Sequence, residues 1–276
     1  MVLFFWLLMS YADVTLANGL RLHYEDEGKG EPLVLIGGLG SRLQAWDEVA
    51  PMLAKRFRVI RPDNRGIGGS GDLEGPYSVE TMAQDVAGLM EALGLARYHV
   101  AGISLGSFAA QSLALQYPER VMRLVLIGSS PGGQAHVPPG PETLAFFQTM
   151  MTLPVEERAR KGLALALHPD FVEAHPQSFE ALVAASVNSQ TPQAVIFRQA
   201  MAGMAFDHSL KAGEIAVPTL ILHGDGDRVV PPANGENLHR LIPKSTWMLL
   251  EKAGHLCIVD QAAVVANAIT GFLSAP

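Results

Sequence analysis

A serine stands between two glycines in Gly102-Ile103-Ser104-Leu105-Gly106, directly after the apolar run Tyr98–Ala101 and ahead of a helix-like segment. Glycines at that spacing leave room for a tight strand-to-helix turn, which lifts the hydroxyl above a sheet edge at the positive end of a helix. A hydroxyl is a poor nucleophile until a base takes its proton. His255 is the candidate base: Ala253-Gly254-His255 follows the apolar stretch 246–250 and falls on a loop at a strand end. The other eight histidines lack metal-ligand spacing such as H-E-x-x-H and are read as structural. The base in turn needs a carboxylate to fix its tautomer. Two acids compete for that role in His223-Gly224-Asp225-Gly226-Asp227-Arg228, after the run Thr219–Leu222. Asp also forms turns, so one of the pair is expected to serve only the backbone; Asp227 is favoured for the chemistry.

Acyl transfer needs donors for a tetrahedral oxyanion, and backbone N–H groups are the usual solution. The first is expected from Leu105, directly after the serine. The second is expected from Leu39, in the loop Gly37-Gly38-Leu39-Gly40. That loop lacks G-x-G-x-x-G, which removes a dinucleotide-binding reading. The set Ser104, His255 and Asp227 would transfer an acyl group to water through an acyl-enzyme, and that chemistry requires no metal and no cofactor.

These residues must be held by a scaffold, and the pattern of apolar runs describes one. Residues 13–27 read as a hairpin around Asn18-Gly19. Unalternating apolar runs follow at Leu33–Ile36, Phe57–Ile60, Tyr98–Ala101, Leu124–Ile127, Thr219–Leu222 and Thr246–Leu250. Such runs suit strands buried on both faces of a parallel sheet. Helical stretches lie among them at 42–54, 78–93, 105–117, 233–241 and 260–273. Strand alternating with helix implies an α/β fold with a doubly wound, mostly parallel sheet. The rhythm breaks over 131–213, which opens with Gly/Pro-rich turns and continues with helix-like segments at 141–151, 155–167, 176–187 and 192–204. Ser104 precedes that break, while Asp227 and His255 follow it. A site assembled from both flanks requires one core, 13–130 and 214–276, with 131–213 inserted as a helical cap.

At this point the chain resembles the α/β-hydrolase superfamily over roughly residues 13–130 and 214–274. The order Ser, Asp, His is the one that fold uses. Asp63-Asn64-Arg65-Gly66-Ile67-Gly68-Gly69-Ser70 is similar to the family's D-x-R-G-x-G-x-S stretch, a structural loop near the site. The family's G-x-x-D-x-x-x-P pattern lands on Gly224, Asp227 and Pro231, and this match decides Asp227 over Asp225. Tyr117-Pro118-Glu119-Arg120-Val121 is similar to the family's link to the next strand. Two departures stand out. Gly37 takes a position that is usually His, removing a side chain that braces the Leu39 loop; Ser107 replaces a common Gly and is read as a packing detail. Within the superfamily, the I-G-G-L-G-S and P-D-N-R-G stretches resemble small carboxylesterases and 3-oxoadipate enol-lactonase-like enzymes.

Composition narrows the substrate. The net charge is −7 and the chain has no Lys/Arg run, so nothing marks a nucleic-acid partner. Hydrophobic residues make up 49% and charged residues 17%, enough for a large core and an apolar pocket. Phe146, Phe147, Met150, Met201 and Met204 are candidates to line that pocket from the cap, Met being adaptable to loosely shaped ligands. The expected substrate is a small-to-medium carboxylic ester with an apolar acyl or alcohol part. Enol-lactone hydrolysis is the runner-up, and perhydrolysis, C–C bond hydrolysis and peptide hydrolysis use related machinery. A purely ligand-binding protein of this fold is disfavoured, because all three site members are present. A lone cysteine, Cys257, cannot form an internal disulfide and is read as a small buried side chain. Val2–Met9 is an apolar run too short to span a membrane and without a basic n-region. It belongs to an apolar N-terminal arm over residues 1–12, whose role stays open between a remnant of start-site choice, a segment that packs on the domain or a partner, and an export signal. The expected location is cytoplasmic, with a homodimer left open.

Overall fold

A computed structural model describes residues 10–189 and 191–275. Val2–Met9 lies outside the described residues. The strands are β1 (Ser10–Thr15), β2 (Arg21–Gly28), β3 (Glu31–Ile36), β4 (Phe57–Pro62), β5 (Tyr98–Ile103), β6 (Val121–Ile127), β7 (Thr219–Gly224) and β8 (Ser245–Leu250). They form one sheet in the order β1-β2-β4-β3-β5-β6-β7-β8. β1 and β2 pair antiparallel, as do β2 and β4; every pairing from β4 onward is parallel. The hairpin begins at Ser10, so residues 10–12, expected in the arm, are paired strand.

The unbroken apolar runs have a direct cause. Side chains alternate across a strand, and here both faces are covered. Val34, Ile36, Val100, Leu124, Leu126 and Ile221 feed one core, beneath α2 (Val79–Ala92) and α3 (Leu105–Gln116). Leu33, Leu35, Ala101, Val125, Ile127 and Leu222 feed the other, beneath α1 (Ala50–Leu53). β2 departs from the half-exposed alternation its sequence suggests. Glu25 and Glu27 are buried, because Arg61 of β4 pairs with both and with Asp47. Burial raises both carboxyls, and the Arg61 charge opposes that rise.

The expected helix over 42–54 is instead a 3₁₀ turn, Leu43–Trp46, followed by α1. Between β6 and β7 the chain leaves the sheet and forms α4 (Pro141–Thr149), α5 (Val155–Ala166), α6 (Pro169–Ala174), α7 (Pro176–Asn188) and α8 (Gln193–Met204). The short α6 was not expected; it starts at a proline and ends before one, which fits an N-terminal proline and a blocked extension. The stems of the insertion meet: Gly132 bridges Asp207, and the His208 N–H donates to the Pro131 carbonyl at 2.8 Å. The remaining helices are α9 (Ala233–Leu241), α10 (Cys257–Asp260) and α11 (Ala262–Leu273); the stretch read as one helix over 260–273 is broken at Gln261.

Strand order reverses at β3, whose neighbours are β4 on one side and β5 on the other. Such a switch point opens a crevice outside the carboxyl ends of the strands. The loop Gly37–Gly40 leaves β3 there, and Ser104 leaves β5 there.

Candidate active site

Ser104 is the corner between β5 and α3, with φ 54° and ψ −126°. That backbone is strained for a side-chain-bearing residue and holds only where its surroundings impose it. Two glycines impose it here. A Cβ on Gly102 would lie 2.3 Å from the Gly106 carbonyl oxygen, and one on Gly106 would lie 2.3 Å from that of Ile36. Backbone contacts at both positions leave no room for a methyl group. The Ser104 N–H donates to the Ile127 carbonyl at 2.9 Å, and its own carbonyl accepts from the Ser107 hydroxyl at 2.5 Å. Ser107 Oγ also lies 2.7 Å from Ser129 Oγ, from which it can accept, and Ser129 Oγ in turn accepts from Gln111 at 3.0 Å. The position read as a packing detail therefore belongs to a buried polar chain behind the corner. Ser104 itself is half-buried.

His255 follows β8, and Asp227 follows β7. His255 Nδ1 and Asp227 Oδ2 are 2.7 Å apart, and both residues are buried. Asp227 Oδ1 accepts the amides of Val229 (2.9 Å) and Val230 (2.8 Å). Three donors thus fix the carboxylate and leave it aimed at the imidazole. Asp225 is exposed; its Oδ1 accepts the Ala253 amide at 3.3 Å, a turn contact. The imidazole occupies the space that a side chain at Gly128 would fill. A Cβ on Gly128 would stand 2.9 Å from His255 Nδ1 and Cε1, while the preceding residue, Ile127, holds the Ser104 amide. Ser104 and His255 thus flank the same end of β6.

The glycine loop crosses beside the serine: a Cβ on Gly38 would lie 3.2 Å from the Ser104 Cβ. The missing His side chain at Gly37 has a substitute. Asn64 Nδ2 donates to the Gly37 carbonyl at 2.9 Å, and the Gly40 amide donates to Gln199 Oε1 of α8 at 2.9 Å. Asp63 holds the following turn by accepting the amides of Leu43 (2.7 Å) and Gly69 (2.9 Å). The Leu105 amide is the first of α3 and has no acceptor within its helix. Asn64→Ala would leave the buried Gly37 carbonyl without its donor. A loss of about 1–3 kcal/mol in unfolding free energy is expected, read from urea denaturation; an unchanged urea midpoint would show that the loop is held without it.

Helix α8 meets this loop through Ile196 and Gln199, and meets Leu105 through Gly203. A Cβ on Gly40 would contact Ile196, and one on Gly203 would contact the Leu105 side chain at 3.3 Å. Met201 and Met204 lie on the opposite, solvent side, 47% and 80% exposed, and Phe147 of α4 is 40% exposed. Phe146 and Met150 are half-buried. Arg198 pairs with Asp72 and lies 4.4 Å over the Tyr77 ring, and Arg160 and Lys161 pair with Glu180 and Glu157.

Nothing in the sequence pointed to His223. It is wholly buried, with Nε2 3.9 Å from Asp227 Oδ2. Burial pushes its pKa down to about 4 despite the Asp227 charge, so the ring is neutral above that pH. Cys257 is buried, and desolvation pushes its thiol up, away from thiolate chemistry. Among the described residues there is no cluster of three or more His, Cys, Asp or Glu able to hold a metal ion, and no helix is long and apolar enough to cross a membrane.

Comparison with known proteins places the fold in a family. A family model described as the alpha/beta hydrolase fold matches residues 31–262. A 2-hydroxy-6-oxo-2,4-heptadienoate hydrolase of Pseudomonas putida is 30% identical, covering 95% of this chain and 96% of its own. The enol-lactonase of Burkholderia xenovorans LB400 superposes with TM-score 0.85 at 28% identity, over 96% of this chain and 100% of its own. A thermophilic esterase of Thermogutta terrifontis gives TM-score 0.79 at 28% identity, over 96% and 98%.

Proposed function

The chain belongs to the alpha/beta hydrolase family, and from that premise we propose that it is a serine esterase acting on small-to-medium carboxylic esters with apolar groups. Ser104 attacks the ester carbonyl. His255 accepts the hydroxyl proton and returns it to the leaving alcohol. Asp227 holds the imidazole through Nδ1 and stabilises its charged form. The amides of Leu105 and Leu39 receive the oxyanion. Water then cleaves the acyl-enzyme by the same steps. The observation that carries this reading is the 2.7 Å His255–Asp227 pair, set against the end of β6 that also holds Ser104.

In this reading the insertion 131–213 caps the site. Ile196, Gln199 and Gly203 form the inner wall with Leu105. Phe146 and Met150 stand further out, and the exposed Phe147, Met201 and Met204 contribute to a mouth. Three of the insertion's cations are engaged by Asp72, Glu180 and Glu157, which favours an uncharged substrate.

One observation favours a second reading, hydrolysis of an anionic enol-lactone. Arg42, just beyond the Gly37–Gly40 loop, has a buried Nε with no hydrogen-bond partner. Burying part of a cation without a partner is costly, and a substrate carboxylate would supply one. A panel of p-nitrophenyl esters, neutral lactones, carboxylate-bearing lactones and vinylogous diketones, compared by kcat/KM, tests both. The expected result is highest kcat/KM on a neutral ester. A preference for the carboxylate-bearing lactone that Arg42→Gln abolishes would replace the ester reading with the second one. Phosphonylation of Ser104 by a fluorophosphonate, read by peptide mass, tests the nucleophile independently of substrate choice.

A further inference from the structure

Helix α10 ends on Asp260, a carboxylate with no part in the chemistry above. Its Oδ2 accepts the Gly254 amide at 2.5 Å and the His168 amide at 3.1 Å. Gly254 directly precedes His255, and His168 is the N-cap of α6, in the turn after α5. The two segments are packed backbone against backbone. The Leu256 amide donates to the Ala166 carbonyl at 2.9 Å. A Cβ on Gly254 would stand 2.5 Å from that carbonyl oxygen and 2.7 Å from His168 N. The same segment reaches the acid: a Cβ on Gly226 would lie 2.6 Å from His168 Cδ2, and Arg228 donates to the Ala164 carbonyl. Residues 164–168 therefore touch the neighbours on both sides of Asp227 and on both sides of His255.

A carboxylate is costly to bury unless hydrogen bonds compensate it. Asp260 Oδ1 is buried without a partner, so the two amides on Oδ2 are its compensation. Burial raises its pKa from 3.8 to about 6, against the opposing pull of both amides and of the His168 charge; Asp227 adds to the rise. The Cys257 thiol shares the pocket, and beyond His168 lie Asp170 and Lys252, 3.2 Å apart. A raised carboxyl pKa means that the ionised form costs stability, a cost that grows as pH rises from 3.8 through 6.

We propose that Asp260 is a positioning residue, fastening the loop of His255 to the α5–α6 turn so that the insertion itself holds the imidazole in register with Ser104. This rests on the serine-hydrolase reading above. What matters is the place of the accepting oxygen, not the charge. In Asp260→Asn the amide oxygen can replace Oδ2, and the amide nitrogen occupies the place of the unpartnered Oδ1. In Asp260→Glu the charge stays and the oxygen moves by a methylene. Asp260→Ala removes the acceptor.

The test is steady-state hydrolysis of p-nitrophenyl butyrate at pH 8, with thermal unfolding measured on each variant. Misplacing a reacting group by an ångström costs up to about 100-fold, so Asp260→Ala and Asp260→Glu are expected to lose roughly ten- to 100-fold in kcat with little change in KM. Asp260→Asn is expected to stay within about three-fold in kcat and to melt no lower than wild type, because it sheds the ionisation cost. Activity would then not follow stability, which a strut of the fold could not explain. Asp260→Ala within about two-fold of wild type would overturn the proposal. So would a Glu variant as fast as the Asn variant, or a loss confined to KM. If the Ala variant does not fold, the Glu and Asn variants decide. A wild type that neither turns over ester nor takes a fluorophosphonate at Ser104 would overturn the serine-hydrolase reading, and this assignment with it.

Discussion

Ser104→Ala is expected to lower kcat/KM on p-nitrophenyl butyrate by on the order of 10⁴- to 10⁶-fold, leaving only the activity that binding and oxyanion donors retain without a nucleophile. The substitution removes one oxygen and little else. The corner is fixed by backbone contacts at Gly102 and Gly106 and by the hydrogen bond from the Ser104 N–H to the Ile127 carbonyl, none of which involves the hydroxyl. Alanine at φ 54° carries the same strain as serine. The urea midpoint is therefore expected to stay where it is, so that lost activity cannot be ascribed to lost fold. Equal turnover by the variant and the wild type would sink the assignment of Ser104. Ser104→Gly sharpens the same test. It relieves a backbone strain of about 1–3 kcal/mol at an entropic cost of about 0.5–1 kcal/mol, so an inactive variant of equal or slightly greater stability is expected.

The scaffold was legible in the sequence because it is buried on two sides. Strands that feed two cores show unbroken apolar runs, and each of the six such runs in 33–250 lies within a strand of the sheet. Corner geometry was legible for a related reason: Gly102 and Gly106 are demanded by backbone contacts, and a glycine is visible in a sequence whatever folds around it. What could not be read were polar residues whose burial depends on a distant partner. Glu25 and Glu27 look like the outer face of a hairpin until Arg61 arrives from β4. Gln199 looks like a solvent residue on a helix, yet it is buried because the Gly40 amide, far away in the chain, needs an acceptor. The same limit affected α8. Its methionines suggest a pocket wall by hydrophobicity, yet Met201 and Met204 are exposed, while Ile196 meets the Gly37–Gly40 loop and Gly203 meets Leu105. Helical periodicity gives two faces, but it does not say which one the core occupies when both carry apolar residues.

Asp227 and Asp225 differ by two positions and should differ by orders of magnitude in consequence. Asp227 accepts from His255 Nδ1 and from two backbone amides inside the protein; Asp225 accepts one long hydrogen bond from a backbone amide at the surface. In Asp227→Asn the volume is kept, but Oδ2 facing His255 becomes either an amide nitrogen or a neutral oxygen. If the nitrogen faces Nδ1, it donates a proton there. The imidazole must then carry its own proton on Nε2, the atom needed to accept the serine proton, and it becomes the wrong tautomer for a base. If the oxygen faces Nδ1, the tautomer is right, but the amides of Val229 and Val230 meet a donor in place of the Oδ1 acceptor, inside a buried site. Either way the carboxylate charge that stabilises the imidazolium is lost, and His223, neutral above about pH 4, gains no charge to compensate. A loss of about 10⁴-fold in kcat is expected for Asp227→Asn. Asp225→Asn keeps an oxygen that can accept the Ala253 amide, and a change within about two-fold is expected. Both variants are to be assayed on p-nitrophenyl butyrate at pH 8 and compared by kcat. A larger loss at Asp225 would show that the wrong carboxylate has been assigned to His255, since the exposed acid would then be doing work that its single 3.3 Å amide contact gives it no means to do.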